Sequence, residues 1–218
     1  MSIFIDGSNF YHALKDVHYR TDLDFESFAR LLSRSPEGIN RKLNPINYYN
    51  AAVDSSRHPK AYTKQQRFFD YLDKVKEPTF IIYRGRIEHH GRLKYRCRNC
   101  EELLNVSVQT CPICGFVETL RDSSEKGVDV KLAVDLVAGA IENRYDVALL
   151  VSEDSDFVPA LEVVRKHNKR IECAILASPK RKRGYHLINT VDWTHYVVSQ
   201  RNWDYLRHCA IISCRWLL

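Results

Sequence analysis

Apolar positions along the chain come in two rhythms. Short, nearly continuous apolar runs ("SIFID" from residue 2, "INYYNAAVD" from 46, "PTFIIYRGR" from 78, "DVALLVS" from 146 and "RIECAILAS" from 170) alternate with longer stretches whose apolar residues recur every three to four positions. The runs predict strands, the first of them ending in a Gly-containing turn at "DGSN". The longer stretches, "DFESFARLLSR", "AYTKQQRFFDYLDKV", "KGVDVKLAVDLVAGAIEN" and "DFVPALEVVRKHN", predict amphipathic helices. Strands that are apolar on both sides and separated by helices imply an α/β fold, with a parallel sheet covered on both faces.

The alternation breaks once. Between "IIYRGR" and "EKGVD" lie about 35 residues that are basic, Cys-bearing and without helical periodicity. This divides the chain into a discontinuous domain of residues 1–84 and 120–200, an independently folding insert of residues 85–119, and a tail of residues 201–218. In the tail Trp203, Leu206, Ala210, Ile211, Cys214 and Leu218 fall on one helical stripe. That stripe suits packing on the domain or a homo-oligomer contact.

The 218 residues carry 33 Lys and Arg against 27 Asp and Glu, a formal charge of +6, so the balance leans toward polyanionic partners. Distribution says more than the sum. From Arg84 to Arg98 six cations (Arg84, Arg86, Arg92, Lys94, Arg96 and Arg98) meet one acid, Glu88, and "PKRKRG" adds a run containing Lys180 and Arg181. No run reaches the roughly 18–20 apolar residues of a membrane span, and "MSIFIDGSN" has no secretory signature. The expectation is a soluble, cytoplasmic protein with no membrane partner.

Cys97 and Cys100 form one CxxC pair and Cys111 and Cys114 another, with ten residues between. Four thiolates at this spacing can enclose one tetrahedral Zn²⁺, and a closed four-cysteine site is structural rather than catalytic. So short a segment buries little apolar area, and the metal would supply most of its stability. The surrounding cations give the ribbon a role in gripping phosphates, with Tyr95 and Phe116 available to stack on bases. A protein-binding ribbon is the alternative. Cys173, Cys209 and Cys214 sit among apolar residues and read as buried thiols.

Acids gather where the predicted strands end. Asp6 closes the first strand, Asp54 the second, and Asp154 and Asp156 the fourth, within "VSEDSDF". A parallel sheet collects its functional groups at the carboxyl ends of its strands. On a helical wheel of "VDVKLAVDLVAGAIEN", Lys131, Asp135 and Glu142 share a narrow polar sector facing water. Asp129 falls instead between Leu136 and Ala140, an expensive place for a lone carboxylate. Carboxylates brought together raise one another's pKa unless a cation neutralises them, and an all-oxygen donor set suits Mg²⁺ or Mn²⁺.

Three stretches carry a family resemblance: "FIDGSNFY" at residues 4–11, "EKGVDVKLAVDLV" at 125–137 and "LLVSEDSDFVPALE" at 149–162. In order and spacing they resemble the NYN family, a branch of the PIN-like nuclease fold. The resemblance implies a three-layer fold with a central parallel sheet flanked by helices, here with a small zinc ribbon inserted. It also implies a metal-dependent ribonuclease in which Asp6, Asp129, Asp154 and Asp156 hold the catalytic cation, while Asn9 orients Asp6 or a substrate phosphate. Asp54 matches a strand-end acid used by some relatives. Glu153 departs from the pattern, standing where the family usually has glycine.

The reading that follows is an endoribonuclease using Mg²⁺ or Mn²⁺, with Arg57, Lys60, Lys64, Arg96, Lys180 and Arg181 holding the RNA backbone. A non-catalytic RNA-binding or scaffold protein and a DNA-directed nuclease are the alternatives.

Overall fold

The structure is a computed structural model that describes residues 1–18, 24–56, 58–96, 103–106, 109–110, 117–118, 121–177, 185–198 and 211–213. In chain order the elements are β1 (Ser2–Asp6), α1 (Gly7–His18), α2 (Phe25–Leu32), β2 (Ile46–Ala51), α3 (Pro59–Lys74), β3 (Phe80–Arg96) and β4 (Leu103–Val106). Then come β5 (Gln109–Thr110), β6 (Val117–Glu118), β7 (Arg121–Lys126), α4 (Val128–Ile141), β8 (Val147–Val151), α5 (Val158–Lys166), β9 (Arg170–Ala177), α6 (Tyr185–Thr190), β10 (Trp193–Val198) and β11 (Ile211–Ser213).

Six parallel strands, in the order β10-β9-β8-β1-β2-β3, form the sheet between two helical layers. β1 lies at its centre and is buried along its whole length. Its side chains alternate as a strand requires. Ile3 and Ile5 join Phe10, Leu14, Phe25, Phe28, Phe69 and Leu72 on the face covered by α1, α2 and α3. Phe4 joins Leu132, Leu136, Phe157, Leu161 and Leu187 on the face covered by α4, α5 and α6.

Three elements differ from the sequence expectation. The residues after Asp6 are not a turn: α1 starts at Gly7, directly from the strand. The sheet has a sixth parallel strand, β10, paired with β9 from Trp193↔Glu172 to Val198↔Ala177. In the tail the described residues Ile211–Ser213 pair antiparallel with β10, so Ile211 belongs to a strand rather than to a helical stripe. The rest of the tail, including Trp203, Leu206, Ala210, Cys214 and Leu218, lies outside the described residues.

The insert is rooted in the sheet itself. β3 leaves β2 after Ala51↔Gly85 and runs on through residues 86–96, paired with β7 and then β4. A strand therefore crosses the 84/85 boundary without interruption. At that crossing a Cβ on Gly85 would stand 2.3 Å from Val128 Cγ2, so only glycine lets β3 pass the start of α4.

Distant in sequence, Arg41 and Glu172 meet under the first helical layer. Glu172 is fully buried on β9, and Arg41 from the α2–β2 connection donates to both its carboxylate oxygens at 2.8 Å. Arg41 also donates to the carbonyls of Ser33 and Arg34. A ring nitrogen of His195 on β10 sits 2.8 Å from the same carboxylate, and Arg170 Nε forms an ion pair at 3.0 Å without hydrogen-bond geometry. These partners hold the Glu172 carboxyl down, against its burial, to about 2.

Among the described residues no helix is long and apolar enough to cross a membrane. Cys173 is a buried free thiol, and burial pushes its pKa up to about 12.

Candidate active site

Strand order fixes where a site can form. The chain leaves β1 into α1 on one face and leaves the neighbouring β8 toward α5 on the other, which opens a crevice at their carboxyl ends. This is the switch point at which parallel α/β sheets bind their ligands.

Asp6 stands there, 4% exposed. Its Oδ1 accepts the Asn9 backbone N–H at 3.1 Å, and its Oδ2 accepts the Ser152 hydroxyl at 3.0 Å. Gly7 makes the abrupt strand-to-helix junction possible. A Cβ at this position would come within 2.7 Å of the Tyr48 ring and of the Tyr49 carbonyl oxygen.

Beyond β8, "SEDSD" folds back on itself through hydrogen bonds. Ser152 Oγ accepts the Asp154 N–H at 3.1 Å while donating to Asp6, and Asp154 Oδ1 accepts the Asp156 N–H at 2.9 Å, capping a one-turn 3₁₀ helix. Asn9 Oδ1 accepts the Glu153 N–H at 3.2 Å. Asn9 thus steadies Asp6 through its backbone and the acidic turn through its side chain.

Asp129 comes from the other face of the sheet, in the first turn of α4 behind Gly127, whose φ is +80°. In the first turn of the helix it is exposed, unlike Leu136 and Ala140 near it on the wheel. Burial and then the negative charges of Asp154 and Asp156 raise its pKa. Burial raises that of Asp6 too, opposed by the Asn9 and Ser152 hydrogen bonds and reinforced by Asp129 and Asp154. Acids from three segments therefore meet at one edge, with Asp154 bearing on both Asp6 and Asp129.

Among the described residues no group of three or more His, Cys, Asp and Glu side chains is arranged to hold a metal ion directly. The donor set is all oxygen and mutually repelling, and in that respect it fits Mg²⁺ or Mn²⁺.

The remaining predicted residues are distributed unevenly. Lys60 and Lys64 are exposed, a turn apart on the first half of α3, which begins beyond the carboxyl end of β2. Arg96 is the last residue of β3, opposite Leu103. Arg57, Lys180, Arg181 and the four cysteines Cys97, Cys100, Cys111 and Cys114 lie outside the described residues.

Asp54 lies three residues past the end of β2, in an Asx-type turn whose carboxylate accepts the N–H and hydroxyl of Ser56 at 2.8 and 2.6 Å. The acids whose charge raises Asp6 are Asp129 and Asp154, and those whose charge raises Asp129 are Asp154 and Asp156. Gln65 pins the connection before Asp54, donating to the Ala51 carbonyl and accepting the Val53 N–H.

Two readings of single acids change. Asp135 does not face water: it is half-buried, pairs with Lys131 and accepts the Tyr49 hydroxyl at 2.9 Å. The wheel misplaced it because α4 is apolar almost all round, with Val130, Val134 and Ile141 exposed on its outer side. Glu153, the family departure, lies with Asn9, Phe10, Ala13 and residues 174–176 on the α1–β9 side of the edge, and its charge acts on Cys173.

Six parallel strands between helical layers, with acids converging at the switch point, define a PIN-like α/β domain. The NYN domain model matches residues 1–199, and the chain belongs to the NYN family, a family of PIN-like nucleases. The fold is similar to the crystal structure of a protein of unknown function from Vibrio parahaemolyticus, at 18% identity over 92% of each chain and a TM-score of 0.53. No curated protein matches the chain.

Proposed function

We propose that the protein is a metal-dependent endoribonuclease whose centre is built by Asp6, Asp129, Asp154 and Asp156. The observation that carries this reading is the convergence of acids from β1, α4 and the turn after β8 at one crevice, tied together by the Ser152–Asp6 and Asn9–Glu153 hydrogen bonds and with Asp154 bearing on both Asp6 and Asp129. Clustered acids that disfavour ionisation, one of them the buried Asp6, are tolerated where a cation neutralises them. Bound among them, Mg²⁺ or Mn²⁺ would supply an activated water and stabilise charge developing on a phosphodiester. The chain's own contribution is placement. Ser152 and Asn9 hold Asp6 and the acidic turn in fixed relation, while Lys60 and Lys64 offer cations at the same edge.

Zinc in the insert is part of the same proposal. β3 and β4 pair up to Arg96↔Leu103, and β5 and β6 up to Thr110↔Val117. Each CxxC pair therefore falls in the six-residue connection of an antiparallel hairpin (residues 97–102 and 111–116), the arrangement from which two knuckles share one Zn²⁺. Elemental analysis of the purified protein should find about one zinc per chain. Metal-free protein with four reactive thiols would remove the ribbon.

The activity is tested with labelled single-stranded RNA, single-stranded DNA and duplex DNA in Mg²⁺ or Mn²⁺. The native protein should cut RNA internally, and Asp154→Asn should be inert but folded. Preferential cutting of DNA would reassign the substrate. Native protein and variant equally inert on all three would leave a nucleic-acid-binding protein without catalysis.

A further inference from the structure

The crossover from β2 to β3 runs back along the whole sheet. The two strands are parallel, so α3 leaves the carboxyl edge at Pro59 and brings the chain to the amino edge at Lys74. β2 pairs with β1, Tyr49 opposite Asp6, and the helix therefore begins beside the strand next to the acids. Its inner side is buried through Phe69 and Leu72. On its outer side Lys60, Lys64, Arg67, Tyr71 and Lys74 follow at spacings of four, three, four and three residues, and all five are exposed. At 100° per residue they fall within an arc of about 80° that runs the length of the helix.

Like charges one turn apart on a helix repel and weaken it. Among the described residues none of these four cations is in an ion pair. The nearby acids of α3 lie off the arc: Asp70 is at its margin, and Asp73 is further round, paired with Arg84 of β3 at 3.5 Å. Tyr71 is 41% exposed, with its hydroxyl against Asp24 and the Phe25 backbone at the start of α2. That end contact holds the ring and leaves it open to a partner. Tyr71 and Lys74 line, with Arg30 and Lys76, a cavity of about 580 Å³, whose acids are Glu77 and Glu26, the latter paired with Arg30 at 2.7 Å. Charge alone serves any polyanion. An aromatic ring set into a row of unpaired cations is the chemistry of a single-strand site, with cations for the backbone and a ring for a base.

We propose that the outer face of α3 is a track for single-stranded RNA, running from the carboxyl edge where the acids meet to Tyr71 near the opposite edge, where the ring stacks on a base. The proposal rests on the nuclease reading for its substrate and extends it to RNA held over several nucleotides. From Lys60 to Lys74 the helix rises about 21 Å at 1.5 Å per residue. Phosphates of a stacked strand recur about every 3.4 Å, so the track holds roughly six nucleotides. A duplex offers Tyr71 no free base face.

The test measures binding of a single-stranded RNA of about twelve nucleotides, twice the track, by full-length Asp154→Asn protein, without added divalent cation, across a salt series. Replacing Lys64, Arg67 and Lys74 by Gln should lower the slope of log affinity against log salt by about 0.7 per lost contact, and affinity at about 0.15 M salt on the order of 10–10²-fold. Replacing Lys42, Arg144 and Lys166, exposed cations away from α3, removes the same charge and should cost far less. Equal losses in the two proteins mean that binding follows net charge, and overturn the track. Tyr71→Ala should bind single-stranded RNA about tenfold more weakly, while Tyr71→Phe, which keeps the ring, should bind as before. A Phe variant as weak as the Ala variant, or an Ala variant as tight as the parent, overturns the stacking and with it the preference for single strands. Polyglutamate that competes as well as RNA at equal charge would make the face a site for acidic proteins and overturn the proposal. The nuclease reading fails separately: RNA binding that depends on α3, with no cleavage by native protein in any metal, leaves the track standing. Cleavage by native protein, with binding indifferent to the α3 substitutions, does the reverse.

Discussion

Asp6→Asn should abolish metal-dependent cleavage, by at least about 10²–10³-fold, the scale of losing one well-placed electrostatic group in an active site. It should do so without unfolding the protein. The isosteric amide keeps an oxygen for the Asn9 N–H, and the Ser152 hydroxyl can rotate to meet the new amide group. Removing one charge also relieves the repulsion among Asp6, Asp129 and Asp154 that opposes folding of the metal-free protein. The two effects separate in a melting experiment. Native protein gains stability from Mn²⁺ as RT ln(1 + [Mn²⁺]/Kd), about 2.7 kcal/mol at one hundred times Kd. The variant should melt no lower than the native protein without metal and gain little when metal is added. A variant that responds to Mn²⁺ as the native protein does would remove Asp6 from the cation site, whatever its activity.

The strands, their parallel order and the meeting of the acids were legible because each is written locally. Apolar runs mark strands buried on both faces, and an acid at the end of such a run must lie at the carboxyl edge. What escaped depended on residues far apart in sequence. "GSN" carries the composition of a turn, and only its packing under Tyr48 and Tyr49 makes it the first turn of a helix. Asp135 was misread because α4 has two apolar arcs, and a helical wheel gives the period without saying which arc meets the sheet. Glu153 looked like an intruder in the cation site, and in three dimensions it belongs to the other side of the edge.

Least legible of all was the pairing of Arg41 with Glu172, 131 residues apart, and its loss should produce the largest change in stability. Arg41→Ala leaves a fully buried carboxylate with only His195 and a poorly aligned Arg170, and breaking a buried pair from one side costs about 3–5 kcal/mol. For a chain of this size that is a fall in melting temperature of roughly 6–20 °C. The cost should depend on pH, and the sign is fixed by linkage. With its folded pKa near 2, below the ordinary 4.5, Glu172 contributes stability that is complete above about pH 5 and lost as pH falls toward 2. The gap between native protein and Arg41→Ala should therefore be widest at neutral pH and narrow in acid. Adding Glu172→Gln to Arg41→Ala should recover part of the loss at pH 7, because the unpaired charge is gone. A gap independent of pH, with no recovery in the double variant, would mean that Arg41 acts through its hydrogen bonds to the Ser33 and Arg34 carbonyls instead. Below its melting point Arg41→Ala should still gain stability from Mn²⁺, the opposite of Asp6→Asn, because the pair lies away from the carboxyl edge where the acids meet.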